Sequence, residues 1–151
     1  MEEYEGPMYE SENVRILLSD STVVKVEMLG KRQVQYQNGD IEFPEGLHLI
    51  FYDIAGEKIT ELTAQKGYKA AKQNIYRAEG DVLVNNLNKK ETLSTELLFW
   101  DPKEEIIYTD QFVTIETAKE LLPAEGFSAP QDFSTYELTK PRDAIIKLND
   151  N

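Results

Sequence analysis

The sequence predicts an all-β chain of short antiparallel strands. Three observations carry that expectation: apolar residues alternate at period two along most of the chain, helical periodicity is nearly absent, and tight-turn signals separate the alternating runs. Val14, Ile16 and Leu18 share one parity, and Val24, Val26 and Met28 form a second run, with "SDST" at 19–22 as the turn between them. "NGD" at Asn38–Asp40 marks a hairpin, because Asn and Gly both tolerate the positive φ of a tight turn. "AGEK" at Ala55–Lys58 reads the same way. "FPEG" at Phe43–Gly46 sets a proline, which cannot donate to a ladder, just before the next strand. One helix of a turn or two is expected at Thr117–Leu122, ended by Pro123 and Gly126. The last strand is expected at Phe133–Leu138, closed by Lys140 and Pro141.

A repeat organises the middle of the chain. Moving Leu62–Val84 forward by 31 positions lays it on Leu93–Ile115, so that Leu62 meets Leu93, Tyr68 meets Phe99, Ile75 meets Ile106, Val82 meets Val113 and Val84 meets Ile115. Each copy is one strand, a polar turn and a return strand. Such a unit cannot bury its apolar side alone, so neighbouring units must stack. Simple parity puts Leu62, Tyr68, Leu97 and Phe99 on one face, matched on the return strands by Tyr76, Val82, Val84, Ile107, Val113 and Ile115. It sends Trp100, the only tryptophan, to the other face. Yet Leu98, Trp100, Ile106, Tyr108 and Phe112 make that second face apolar too. Either two sheets enclose these residues or one face receives a partner or ligand.

The 151 residues suit one domain with a sizeable core, read as a flexible N-terminal segment over 1–12, a β domain over 13–140 and a flexible tail over 141–151. A net charge of −12 disfavours nucleic acid and anionic membrane surfaces as partners. There is no cysteine, hence no disulfide, thiol nucleophile or thiolate metal site. The acidic, polar opening "MEEYEGPMYESEN" contains no export signal or membrane span.

Carboxylate pairs such as Glu104 with Glu105, or Asp132 with Glu137, could be proposed as acid and base. General acid-base work needs one apolar and one polar surrounding to separate the two pKa values, and these acids fall in turns open to water. His48 is the only histidine and reads as an ordinary strand residue. No dinucleotide, P-loop, zinc-protease or EF-hand pattern occurs, so no catalytic residue, metal or cofactor is implied.

A series of short motifs in order carries a likeness: "ITELTAQKGYKAAKQNIYRAEGDVLVNN", then "ETLSTELLFWDPKEEIIYTDQFVTI", then "GFSAPQDFSTYEL", preceded by "GDIEFPEGLHLIFYDIAGEKI". This series resembles the LptC family, the periplasmic component of the lipopolysaccharide export machinery. The resemblance implies an open, twisted β-jellyroll whose groove takes the acyl chains of lipopolysaccharide. It further implies a periplasmic protein anchored to the inner membrane through an N-terminal segment absent from this chain. Such a protein receives lipid from inner-membrane ABC transporter subunits and passes it to a periplasmic bridge protein of the same fold.

Carried onto this chain, the groove would be lined by Phe51, Leu62, Tyr68, Tyr76, Val82, Val84, Leu97, Phe99, Ile107, Val113 and Ile115. Ile16 and Leu18 would lie near the upstream edge, facing the transporter. Gly126 and the strand with Phe133, Tyr136 and Leu138 would meet the bridge protein. Three alternatives stay open: a soluble bridge protein of this fold, a β-jellyroll carbohydrate-active enzyme using a carboxylate pair, and a structural β domain with a filled, closed core.

Overall fold

The structure, a computed structural model, describes residues 7–20 and 23–148. These contain thirteen strands and no helix. In chain order the strands are β1 (Pro7–Asp20), β2 (Val23–Tyr36), β3 (Ile41–Phe43), β4 (Leu47–Tyr52), β5 (Lys58–Ala64), β6 (Lys66–Lys69) and β7 (Tyr76–Asn86). They continue as β8 (Glu91–Asp101), β9 (Ile106–Thr109), β10 (Val113–Glu116), β11 (Glu120–Pro130), β12 (Glu137–Pro141) and β13 (Ile145–Ile146). All pairings are antiparallel and join one sheet in the order β10-β11-β9-β8-β7-β5-β4-β2-β3-β6, with β1 added to β2 and both β12 and β13 added to β11.

The sheet folds onto itself because its long strands change partners midway. β2 pairs with β4 through Val26–Leu29 and with β3 through Val34–Gln35. β7 pairs with β6 through Tyr76–Glu79 and with β5 through Leu83–Asn86. β8 pairs with β9 near Phe99–Asp101 and with β10 through Thr92–Thr95. β11 pairs with β10 through Leu121–Ala124 and with β9 through Phe127–Pro130. One layer therefore holds β4, β5, β10 and the adjoining halves of the long strands; the other holds β3, β6, β9 and the remaining halves. The strands turn from one layer to the other along a crease marked by Gly30, Gly46, Gly80 and Gly126 and by the interruptions between β5 and β6 near Gln65 and between β9 and β10 near Gln111. This is the open β-jellyroll, with no helix among the described residues.

The 31-residue repeat is repeated in the pairing. Leu62 faces Val84 as Leu93 faces Ile115, and Tyr68 faces Arg77 as Phe99 faces Tyr108. The expected turns form where their residues require them. The backbone N–H of Gly39 donates to the Tyr36 carbonyl at 2.9 Å, with Gly39 at φ 96°. The Asp53 carboxylate accepts the N–H groups of Ala55 and Glu57 at 2.9 and 3.0 Å, closing the β4–β5 turn. The expected turn at 19–22 includes residues 21 and 22, which lie outside the described residues.

Two local expectations, the helix and the last strand, are corrected, and the two terminal segments are placed. The segment expected as a helix at Thr117–Leu122 is a bend followed by the start of β11, because β10 offers Leu121 and Leu122 a ladder that outweighs their helix propensity. Residues 7–12, expected to be flexible, extend β1 along β2; residues 1–6 lie outside the described residues. The last full strand is β12 at Glu137–Pro141, not Phe133–Leu138, and the expected tail contributes β13. Phe133 lies in the loop ahead of β12, fully buried, with its N–H donating to the Pro130 carbonyl at 2.8 Å.

Candidate functional site: the space between the layers and its mouth

The layers face each other through apolar side chains. Phe51, Leu62, Val84, Leu93 and Ile115 come from one, and Ala78, Leu98, Trp100, Ile107, Phe127 and Ala129 from the other; all are buried. Phe51 meets Trp100 edge-on across the interior at 5.5 Å between ring centroids, and Tyr76 stacks on Trp100 at 4.9 Å. Burial raises the pKa of the Tyr76 hydroxyl.

Simple parity fails in the middle of β8. Between the inward pair Val82 and Thr95 and the inward pair Ala78 and Leu98, β7 places Glu79, Gly80 and Asp81 where β8 places only Glu96 and Leu97. The bulge rests on positive φ at Gly80 (80°) and Asp81 (44°). It reverses the parity of β8, so Leu98 and Trp100 turn inward while Leu97 and Phe99 turn outward. Phe51, Leu62, Tyr76, Val82, Val84, Ile107, Val113 and Ile115 do face the interior. Tyr68, Leu97 and Phe99 do not; they lie on the outer face.

On the outer face, Tyr68 donates its hydroxyl to Asp40 at 2.9 Å and carries the Arg77 guanidinium 4.6 Å from its ring centroid. Phe99 stacks on Tyr108 at 5.5 Å.

Opposite the crease, the layers end in two lips that no backbone ladder joins among the described residues. One lip carries Lys25 and the Asp53–Glu57 turn; the other carries the β8–β9 turn and the loop after β11. A cavity of about 590 Å³ lies between them, reached by Phe51, Ile59, Glu105, Pro130 and Gln131. Ile54 stands on its rim, 91 % exposed. A smaller cavity of about 200 Å³ beside it reaches Leu18, Val26 and Trp100. Lys25, Glu105 and Gln131 line both cavities.

The local sequence builds the partition between these cavities. Asp101 accepts the N–H groups of Lys103 and Glu104 at 3.0 and 3.2 Å, which curls the β8–β9 turn, and Glu105 then takes a left-handed φ of 57°. From there its carboxylate accepts Lys25 Nζ at 2.8 Å across the gap. The Glu105 carbonyl accepts the Gln131 N–H at 2.9 Å, and the Gln131 side chain accepts Trp100 Nε1–H at 3.0 Å. Further along the lips, buried Asn86 donates to the Phe133 carbonyl at 2.7 Å and Lys89 Nζ donates to that of Ser134. Phe133, also left-handed at φ 56°, is thereby held in the interior against Phe127, at 5.6 Å.

The remaining candidates lie elsewhere. Ile16 and Leu18 are half-buried on the inward face of β1. Gly126 sits on the crease, where an added Cβ would come within 2.9 Å of the Thr139 side chain. Tyr136 stacks on Phe127, and Leu138 is half-buried against the core. Of the possible acid-base pairs, Glu104 is exposed, Glu105 is held by Lys25, and Asp132 caps the Ser134 N–H at 3.0 Å.

His48 contacts Glu61 at 2.8 Å on the outer face. Near it Glu27 accepts hydrogen bonds from Arg15 and from the Tyr52 hydroxyl, which hold its carboxyl below the usual carboxylate range and raise Tyr52. No group of three or more His, Cys, Asp or Glu gathers to hold a metal among the described residues. No helix among them is long and apolar enough to cross a membrane.

Among curated proteins none matches the sequence. A family model described as lipopolysaccharide-assembly, LptC-related, matches residues 3–142. That match spans nearly the whole jellyroll, and the chain belongs to the LptC family, whose role lies in lipopolysaccharide transport.

Proposed function

We propose that the chain carries the acyl chains of lipopolysaccharide between its two layers, taking them from inner-membrane ABC transporter subunits and passing them to a periplasmic bridge protein of the same fold. The observation that carries this reading is the mouth. Its cavity is lined by Phe51 and Ile59, it has exposed Ile54 on its rim, and its partition includes the Lys25–Glu105 pair beside Gln131. Burying acyl methylene groups stabilises the bound state by about 0.8 kcal/mol each, so an apolar space binds such a chain without a set of polar ligands. No bond is made or broken in the transfer.

The proposed lining is Phe51, Leu62, Tyr76, Val82, Val84, Trp100, Ile107, Val113 and Ile115, reached as the lips part. The head group stays outside in water, where salt limits its repulsion from the acidic surface to about 8–10 Å. Ile16 and Leu18 on β1 lie toward the transporter, and the edge beyond β11 lies toward the bridge protein, each joined by strand addition.

Photo-crosslinking residues placed singly at Phe51, Ile59, Phe99 and Tyr68 test the reading with labelled lipopolysaccharide at low and high salt. Capture at positions 51 and 59, little at 68 and 99, and persistence in salt are expected. Capture at the outer positions alone, or collapse of binding with salt, would overturn it.

A further inference from the structure

The last twelve described residues, 137–148, lie along the edge of β11 in two unequal parts. β12 is laddered on Ala124–Ser128 with Ala124 facing Pro141. Beyond it the register slips by one residue, so that Leu121 faces Ile145 and Glu120 faces Ile146. The backbone bonds that follow β12 are few: Arg142 N–H to the Pro123 carbonyl at 2.9 Å and Lys147 N–H to the Lys119 carbonyl at 2.8 Å flank the two-residue β13.

Side chains add little apolar burial there, since Ile145, Ile146 and Leu148 are 57 %, 72 % and 88 % exposed. What holds the segment is charge. Lys147 Nζ lies 2.5 Å from Glu116 and 3.0 Å from the Thr117 carbonyl, and Arg142 lies 3.2 Å from Glu125 with its guanidinium 5.3 Å from the Phe112 ring centroid. Two cations thus fasten an apolar, exposed segment onto an acidic edge. Such pairs weaken with salt, and a segment with few buried contacts opens without the rest of the fold.

We propose that residues 142–148 are a detachable strap that guards the β11 edge and yields it to the extended strand of a protein of the same fold. The identity of that incoming strand rests on the transport reading; the strap itself does not. An uncovered edge would be open to uncontrolled pairing, and a permanently covered one could not receive a partner. A strap separated from β12 by a slip in register meets both needs. The complementary feature is at the other end of the sheet, where β1 pairs only with β2 among the described residues and so presents a fourteen-residue edge. A second copy of the chain is therefore a usable probe.

The absence of native cysteine allows a reversible lock. Because Lys147 bonds to Lys119, the neighbouring Glu120–Ile146 pair is a non-hydrogen-bonded one, whose close Cα atoms suit a disulfide. The variant carrying Glu120→Cys and Ile146→Cys is compared, oxidised and reduced, with Ile145→Pro/Lys147→Glu, which releases the strap without deleting it.

Hydrogen exchange reads strap opening, and light scattering at rising protein concentration reads self-association. Amides of 142–148 in the unmodified chain are expected to exchange at least roughly tenfold faster than those of Leu121–Ala124, and faster still in salt. Self-association should be strongest in the released variant and absent in the oxidised one. Strap amides exchanging together with β11, or a released variant no more associated than the oxidised one, would overturn the proposal. Failure of lipopolysaccharide to crosslink at Phe51 would overturn the transport reading while leaving the strap result standing.

Discussion

The two layers meet twice, at the crease and at the mouth, and different bonds hold them. At the crease β2, β7, β8 and β11 run from one layer into the other, so the join is the chain itself. At the mouth the join consists of side chains and one loop: Lys25 with Glu105, and Asn86 with the Phe133 carbonyl. A covalent join bends, whereas a polar one opens. The contrast predicts a molecule that works as a hinge, with a stiff back and a front that parts at modest cost.

Replacing what both regions share should have the largest effect. Trp100 is 2 % exposed and touches Phe51 across the interior and Tyr76 beside it. Trp100→Ala should lower unfolding free energy by about 3–5 kcal/mol in urea titration. A loss below about 1 kcal/mol would mean that the interior is already loose, and the hinge view would lose its rigid half.

The crease comes next. At Gly80, with φ 80°, an added Cβ would lie 2.6 Å from the Gln65 side-chain oxygen, so Gly80→Val meets both left-handed strain and a clash. We expect about 1–3 kcal/mol of destabilisation, seen as a lowered melting temperature, with capture of lipopolysaccharide at Phe51 retained by the folded fraction. Lost capture at unchanged stability would place the control of opening in the crease instead.

The strands, the turns at Asn38–Asp40 and Ala55–Lys58, and the repeat were legible because each rests on neighbours in sequence. The inward set at Val82, Val84, Val113 and Ile115 followed from parity for the same reason. Parity failed at Phe99 and Trp100, since a bulge in β7 decides how β8 is turned, and that information lies in another strand. Thr117–Leu122 failed as a helix on similar grounds: a ladder with β10 and β13 settles its conformation. The buried Phe133 and the Lys25–Glu105 pair join residues far apart in the chain, and no local pattern announces either.

The smallest effect on stability should come from the mouth, and there the comparison is sharpest. Lys25 and Glu105 keep side-chain exposures of 36 % and 49 %, so their ion pair contributes only about 0–1 kcal/mol to folding. Lys25→Met and Glu105→Gln should therefore leave the urea midpoint nearly unchanged. If the pair partitions the mouth, the same variants should raise the rate at which labelled lipopolysaccharide is captured at Phe51, because the two cavities it separates then join. Exchanging the charges, with Lys25→Glu and Glu105→Lys together, restores an attractive pair and should return the rate toward that of the unmodified chain, while either reversal alone sets like charges together and should hold the lips apart. Equal capture rates in all of these proteins would show that the pair is an ordinary surface contact and that the lips are held by the Asn86–Phe133 side of the mouth.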